Sequence, residues 1–230
     1  LMTSLSINEA LKPLASSEKI AFILEHTKRL SPPLVPELAL HLAEESLPMW
    51  TKMEEVLGEH NVPPPFWAFA WPGGQALARY ILDRPEGIKG RRVFDLGAGS
   101  GLTAIAAARA GAASVVAQDC DAFACVAIAL NAEANAVTLE TICTDALMEK
   151  RQGVDVLLVG DLFYERPLAE KVLCLLEEVS KNKIKILVGD PERTYFPKEH
   201  FRCITQYDVP VSRDLEDSSL KRTAIWEMAN

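Results

Sequence analysis

The chain has 230 residues, 49% of them hydrophobic and 24% charged, which supports a packed core and excludes a disordered chain. Its 24 lysines and arginines face 32 aspartates and glutamates, a net charge of −8 that argues against general nucleic-acid binding, because phosphate neutralisation needs a cationic face. No basic leader precedes an apolar run and no apolar stretch reaches about 18 residues, so a cytoplasmic protein that engages no membrane is expected. Cys120, Cys125, Cys143, Cys174 and Cys203 lie in apolar segments without a CxxC pair, the pattern of free, buried thiols in a reducing compartment. His26, His41, His60 and His200 are scattered, with no ligand spacing, and no metal is expected.

Residues 1–65 read as a helical N-terminal extension. Apolar residues recur at helical spacing in SEKIAFILEHTKRL and in PELALHLAEESLPMWTKMEEVL. Ser16 or Ser17 caps the first helix, Pro32 and Pro33 break it, and Gly58 with Pro63, Pro64 and Pro65 ends the second. Residues 66–230 read as a second unit, in which short β-branched strands alternate with Ala/Leu-rich helices. The spacing predicts a helix over 73–83, a strand over 91–96, a helix over 101–110, a strand over 114–118 and a helix over 121–135. Strands near 139–143 and over 154–160, a helix over 167–180 and a strand over 183–189 follow. HFRCITQYDVP and LKRTAIWEM, with only a polar linker between them, complete the chain as an antiparallel pair. The fold class is therefore α/β, a doubly wound, mostly parallel sheet of seven strands.

The turn DLGAGSG, Asp95 to Gly101, joins a strand to a helix, and its glycines admit both positive φ and close approach of a ligand to the backbone. Two ligands compete for it. A dinucleotide fits the spacing of Gly99, Gly101 and Ala104, with Asp119 at the next strand end as the ribose acid. Asp95 opposes that reading, since a carboxylate immediately before the glycines repels a pyrophosphate and instead suits a cationic ammonium.

The pattern Asp95-x-Gly97-x-Gly99-x-Gly101 followed by Asp119 resembles the S-adenosylmethionine (SAM) site of seven-stranded class I methyltransferases, whose fold is Rossmann-like. That resemblance implies SAM as cofactor and S-adenosylhomocysteine as product. It places the methionine moiety on Asp95, Gly97, Ala98, Gly99 and Gly101, the ribose on Asp119, and the adenine side on Asp145 in CTDAL. A narrower resemblance runs from Phe66 to Trp226, through PFWAFAWPGGQALARYILD, QDCDAFACVAIALNAEAN, LLVGDLFYERPLAE, ILVGDP and TAIWE. These segments are similar to the electron transfer flavoprotein beta subunit lysine methyltransferases and their bacterial relatives. The resemblance implies a protein-lysine N-methyltransferase whose partner is that flavoprotein subunit, with a ribosomal protein as a further candidate. Trp71, just before a helix, matches a tryptophan that lies against the cofactor in such enzymes. Methylation of another amine, or a catalytically silent binding module, stay open as alternatives.

Methyl transfer to an amine is an in-line displacement that depends on positioning and on exclusion of water. The lysine must lose a proton first, so a carboxylate to hold the ammonium and an aromatic wall along its path are expected. Asp161, Phe163 and Tyr164, directly after the strand VDVLLVG, supply those groups at the carboxyl edge of the sheet and are the expected catalytic residues. Pro191, Glu192 and Arg193 lie in the loop after the next strand, where they can shape the lysine entrance, while Trp50, Trp67 and Trp226 are expected to pack.

Overall fold

In the computed structural model, which describes residues 14–58, 64–145, 153–213 and 215–229, the chain opens with α1 (Ser16–His26). A short antiparallel ribbon of β1 (Lys28–Leu30) and β2 (Leu40–Leu42) follows, and then α2 (Ser46–Leu57). The ribbon departs from the helical expectation. Leu38, Leu40 and Leu42 alternate with Ala39 and His41, a period of two, and all three leucines are buried. Asn131 and Asn135 tie the ribbon down from a helix about 90 residues later in the chain. Asn131 Oδ1 accepts from the His41 amide at 2.7 Å, and Asn135 Oδ1 accepts from the Ala39 amide at 3.0 Å. Further back, Phe22, Ile23, Met49 and Met53 share one apolar cluster with Trp67 and Phe123. The N-terminal segment is thus packed into the molecule, and only α1 and α2 within it are helices among the described residues.

The remaining elements are α3 (Pro72–Asp83), β3 (Arg92–Leu96), α4 (Leu102–Arg109), β4 (Ser114–Asp119), α5 (Ala122–Ala134) and β5 (Glu140–Cys143). After them come β6 (Val156–Gly160), α6 (Arg166–Ser180), β7 (Lys185–Asp190), β8 (Phe201–Pro210) and β9 (Leu220–Met228). They form one seven-stranded sheet in the order β5-β4-β3-β6-β7-β9-β8. Strands β3 to β7 are parallel, and the final hairpin inserts β9 antiparallel against β7 with β8 outside it. Successive residues of a strand point to opposite faces, and both faces are covered. Val156 and Leu158 enter the core beneath α3 and α4, while Leu157 and Val159 enter the core beneath α6. From β3 the chain winds outward through β4 and β5, then returns and winds the other way through β6 and β7. The crevice between β3 and β6, at their carboxyl ends, is where such sheets take ligands.

Helix α3 reaches the sheet through glycines. A Cβ on Gly73 would lie 2.1 Å from the Gly189 carbonyl oxygen, and one on Gly160 would lie 3.3 Å from Gly74 Cα. Sheet backbone therefore approaches α3 closely at Gly73 and Gly74. The cysteine expectation is corrected: Cys120, Cys143, Cys174 and Cys203 are exposed, and Cys125 is half-buried. They sit at strand ends and on the outer faces of helices, where an apolar neighbourhood in sequence does not mean burial. No helix among the described residues is long and apolar enough to cross a membrane.

Candidate functional site

A cavity of about 430 Å³ opens at the carboxyl ends of β3, β4 and β6. Its floor is the glycine turn. Gly97, Gly99 and Gly101 have φ of 64°, 54° and 79°, and a Cβ on Gly97 would come within 2.6 Å of the Leu162 side chain. Gly97 and Gly99 line the cavity, whereas Gly101 caps α4 against Ile128, and the Ala98 amide donates to the Gln118 carbonyl at 2.9 Å. Ala98 and Gly101 therefore shape the turn from behind. The turn is also braced by Asn131, fully buried, whose Nδ2 donates to the Ser100 carbonyl at 2.8 Å. Asn131 thus joins the turn to the N-terminal ribbon, a part that sequence reasoning passed over because a mid-helix asparagine carries no local signal.

Asp119 lines the cavity with its carboxylate already oriented. Oδ2 accepts from the Gly99 amide at 2.8 Å and Oδ1 from the Asp121 amide at 3.0 Å. Burial raises its pKa, and these amides oppose the rise. Asp145 stands exposed at the rim. Asp95 is set deeper than Asp119. It is 1% exposed, lies behind the turn rather than among the lining residues, and accepts from the Ala104 amide at 2.9 Å. Its Oδ1 has no hydrogen-bond partner among the described residues, and burial pushes its pKa up to about 7 against that amide.

The opposite end of the cavity is aromatic and charged. Trp71, the residue before α3, lines it with Phe66 and Tyr164. The Phe66 ring lies 5.7 Å from Trp71 and 5.1 Å from Tyr164, and Trp71 Nε1 donates to the Phe66 carbonyl at 2.8 Å. Burial, then the Glu165 charge, pushes the Tyr164 phenol up to about 12, so it remains a neutral donor at neutral pH. Phe163 is a correction. It is fully buried in the core beneath α6, edge-on to Phe196 at 5.2 Å, and is not among the residues that line the cavity. Trp67, expected to pack, is 1% exposed and stacked on Phe123, yet it also borders the cavity.

Asp161 does face the cavity, in a left-handed conformation (φ 54°) that is uncommon outside glycine. Its Oδ2 accepts from the Gly73 amide at the start of α3, and its Oδ1 from Arg193 Nε at 2.9 Å. Burial raises its pKa and the Arg193 charge opposes that rise. Arg193 in turn grips Glu216, at 2.6 and 3.2 Å, from the loop between β8 and β9. Glu216 carries no sequence signal, since it reaches the site from the far end of a hairpin.

The residues present fit SAM and reject a pyrophosphate. Asp119, Asp121, Asp145 and Asp161 line the cavity against the two cations Lys171 and Arg193, an acidic balance that favours a sulfonium, an ammonium and ribose hydroxyls over phosphates. Comparison with known proteins agrees. The ribosomal protein L11 methyltransferase family matches residues 77–182, a segment that contains the glycine turn, Asp119 and Asp161. A solved ribosomal protein L11 methylase from Lactobacillus delbrueckii subsp. bulgaricus shares the fold, at a TM-score of 0.50 and 20% identity over 70% of this chain and 81% of that one. The electron transfer flavoprotein beta subunit lysine methyltransferase of Danio rerio is 37% identical over 89% of this chain and 81% of its own length. That of Homo sapiens is 35% identical over 90% and 80%. Likeness at this level over about nine-tenths of the chain places it in the electron transfer flavoprotein beta subunit lysine methyltransferase family, as a SAM-dependent protein-lysine methyltransferase.

Proposed function

We propose that this enzyme methylates lysine side chains of the electron transfer flavoprotein beta subunit, in the cytoplasm. The observation that carries the substrate is the extent of the match. Relatives with that name align over about nine-tenths of the chain, whereas the ribosomal L11 family matches residues 77–182, less than half of it. Five unpaired cysteines support a reducing compartment. A net charge of −8 and an acidic cavity support a protein partner over a nucleic acid.

When bound, SAM supplies an electrophilic methyl group on a positively charged sulfur. Gly97 and Gly99 would border it along the turn, Asp119 would accept from its ribose hydroxyls, and Asp145 would stand beside its base. Asp95 acts from behind, holding the amino end of α4 in place through the Ala104 amide. Trp71, Phe66 and Tyr164 form the wall along which the lysine approaches, where aromatic faces favour a cation and exclude water. At Asp161, oxygens that already accept from Gly73 and Arg193 retain lone pairs for a lysine N–H, orienting the amine for attack. The proton leaves to solvent at the open mouth, beside the exposed edge of Tyr164. The test is incubation of the enzyme with purified flavoprotein and isotopically labelled SAM, followed by mass spectrometry. Label on beta-subunit lysines is expected, and label confined to other proteins of a lysate overturns the substrate assignment.

A further inference from the structure

Asp161 poses a problem that its position in the sequence does not solve. A carboxylate buried to 7% exposure beside an apolar cavity tends to take up a proton and would then be a poor acceptor for a lysine N–H. Several groups bear on its charge. On the loop after β7, Arg193 donates from Nε at 2.9 Å and lies within 2.8 Å through Nη2. Glu216, on the β8–β9 loop, raises the cost of a negative charge at Asp161, while burial, then the Asp161 charge, raises the pKa of Asp190 at the end of β7. Lys221 on β9 answers Glu216 at 3.4 Å. Helix α3 contributes only the Gly73 amide, and Lys171 of α6 stands at the cavity lining.

Arg193 is itself held on several sides. Glu216 takes two of its guanidinium nitrogens, its own amide donates to Asp190 Oδ1 at 2.7 Å, and its guanidinium carbon lies 5.9 Å from the Trp71 ring centre. The residue before it, Glu192, sits at φ 60°, so the loop accepts a strained backbone that presents this side chain. A planar guanidinium spans two carboxylates at once and stays charged at every working pH, which an ammonium does less well.

We infer that Arg193 is a positioning residue for methyl transfer: anchored by Glu216, it keeps the Asp161 carboxylate ionised and aimed into the cavity. This rests on the lysine-methylating reading of Asp161. The network also ties the β8–β9 loop to the reaction centre, so that a loop more than 50 residues from Asp161 in sequence sets its charge.

The deciding measurement follows the protonation of Asp161 directly. Infrared difference spectra of Arg193→Gln, taken against an Arg193→Gln/Asp161→Asn double variant, isolate the carboxyl band of Asp161. The same difference between wild type and Asp161→Asn gives the reference. The midpoint is expected to rise by about one pH unit or more on loss of the cation. Turnover of Arg193→Gln should fall about 10²-fold at neutral pH, with the acid limb of its pH profile moved upward by the same amount. The double variant should be no slower than Asp161→Asn by more than about twofold, since both changes break one interaction. Arg193→Lys, which keeps the charge and guards against a folding defect, should keep the wild-type midpoint and an intermediate rate. An Asp161 midpoint unmoved by Arg193→Gln overturns the positioning role. Failure of the wild-type enzyme to methylate the flavoprotein subunit sinks the substrate reading instead.

Discussion

The two ends of the cavity are built in opposite ways. The end we assign to the cofactor is centred on one continuous strand-turn-helix-strand unit, Asp95 to Asp119, whose glycines, acids and spacing lie within a single short stretch. The end we assign to the lysine is assembled from four places: Gly73 at the start of α3, Asp161 after β6, Arg193 after β7 and Glu216 between β8 and β9. A site made by local backbone conformation tolerates change elsewhere in the chain. A site made by convergence depends on each element that brings a member to it, and substitutions sharpen that contrast.

The largest effect is expected at Gly73. An alanine there meets the Gly189 carbonyl and the Asp161 carboxylate together, with backbone that has no room to give, so Gly73→Ala should lose about 3 kcal/mol of stability or more. Gly74→Ala, one residue on, meets nothing nearer than Leu102 at 3.9 Å and should be neutral or gain up to about 1 kcal/mol. Urea denaturation of both variants decides it, and equal behaviour would break the argument that α3 is docked through one glycine.

Next comes Asp161→Asn. An amide offers one acceptor oxygen where two are in use, so either Gly73 or Arg193 is left facing an NH₂ group. Methyl transfer should fall by about 10²-fold or more, while SAM affinity changes by less than about tenfold. Single-turnover assays beside calorimetric titration separate the two, and equal losses would show that the two ends are one site.

Asp119→Ala should do the reverse, weakening SAM binding by about 1.5 to 3 kcal/mol, because the carboxylate loses both its ligand bonds and its grip on the Gly99 amide. Unchanged affinity would remove Asp119 from the cofactor end. The last contrast is a pH slope. Folding raises the Asp95 pKa to about 7, so the folded protein holds a proton that the unfolded chain releases between about pH 4 and 7. Stability at this group is therefore greatest at low pH and declines as pH rises to 7, by no more than about 1.4 kcal/mol per pH unit. In the protein without cofactor, Asp95→Asn should flatten that part of the slope, and an unaltered slope would mean that Asp95 does not titrate there.

Much of the fold was legible because both periodicities are local. The parallel strands and their helices fall within one or two residues of their expected ends, and the terminal hairpin is antiparallel as its polar linker suggests. The ribbon was misread because Leu38 and Leu42, four apart, could share a helix face, and only pairing with a partner strand singles out the period of two that includes Leu40. Phe163 and Tyr164 are neighbours in sequence but face opposite sides of the chain, so composition alone assigned both to the site.

By itself the sequence determined the sheet, the glycine turn and the acids that follow it, since a turn at positive φ and a strand-end carboxylate are properties of a few consecutive residues. Only the tertiary structure decided that Asp95 works from behind the turn, that Asn131 braces it, and that Arg193 and Glu216 stand over Asp161. Those relations join residues tens of positions apart, and a chain records such a contact only when the folded backbone has brought its two ends together.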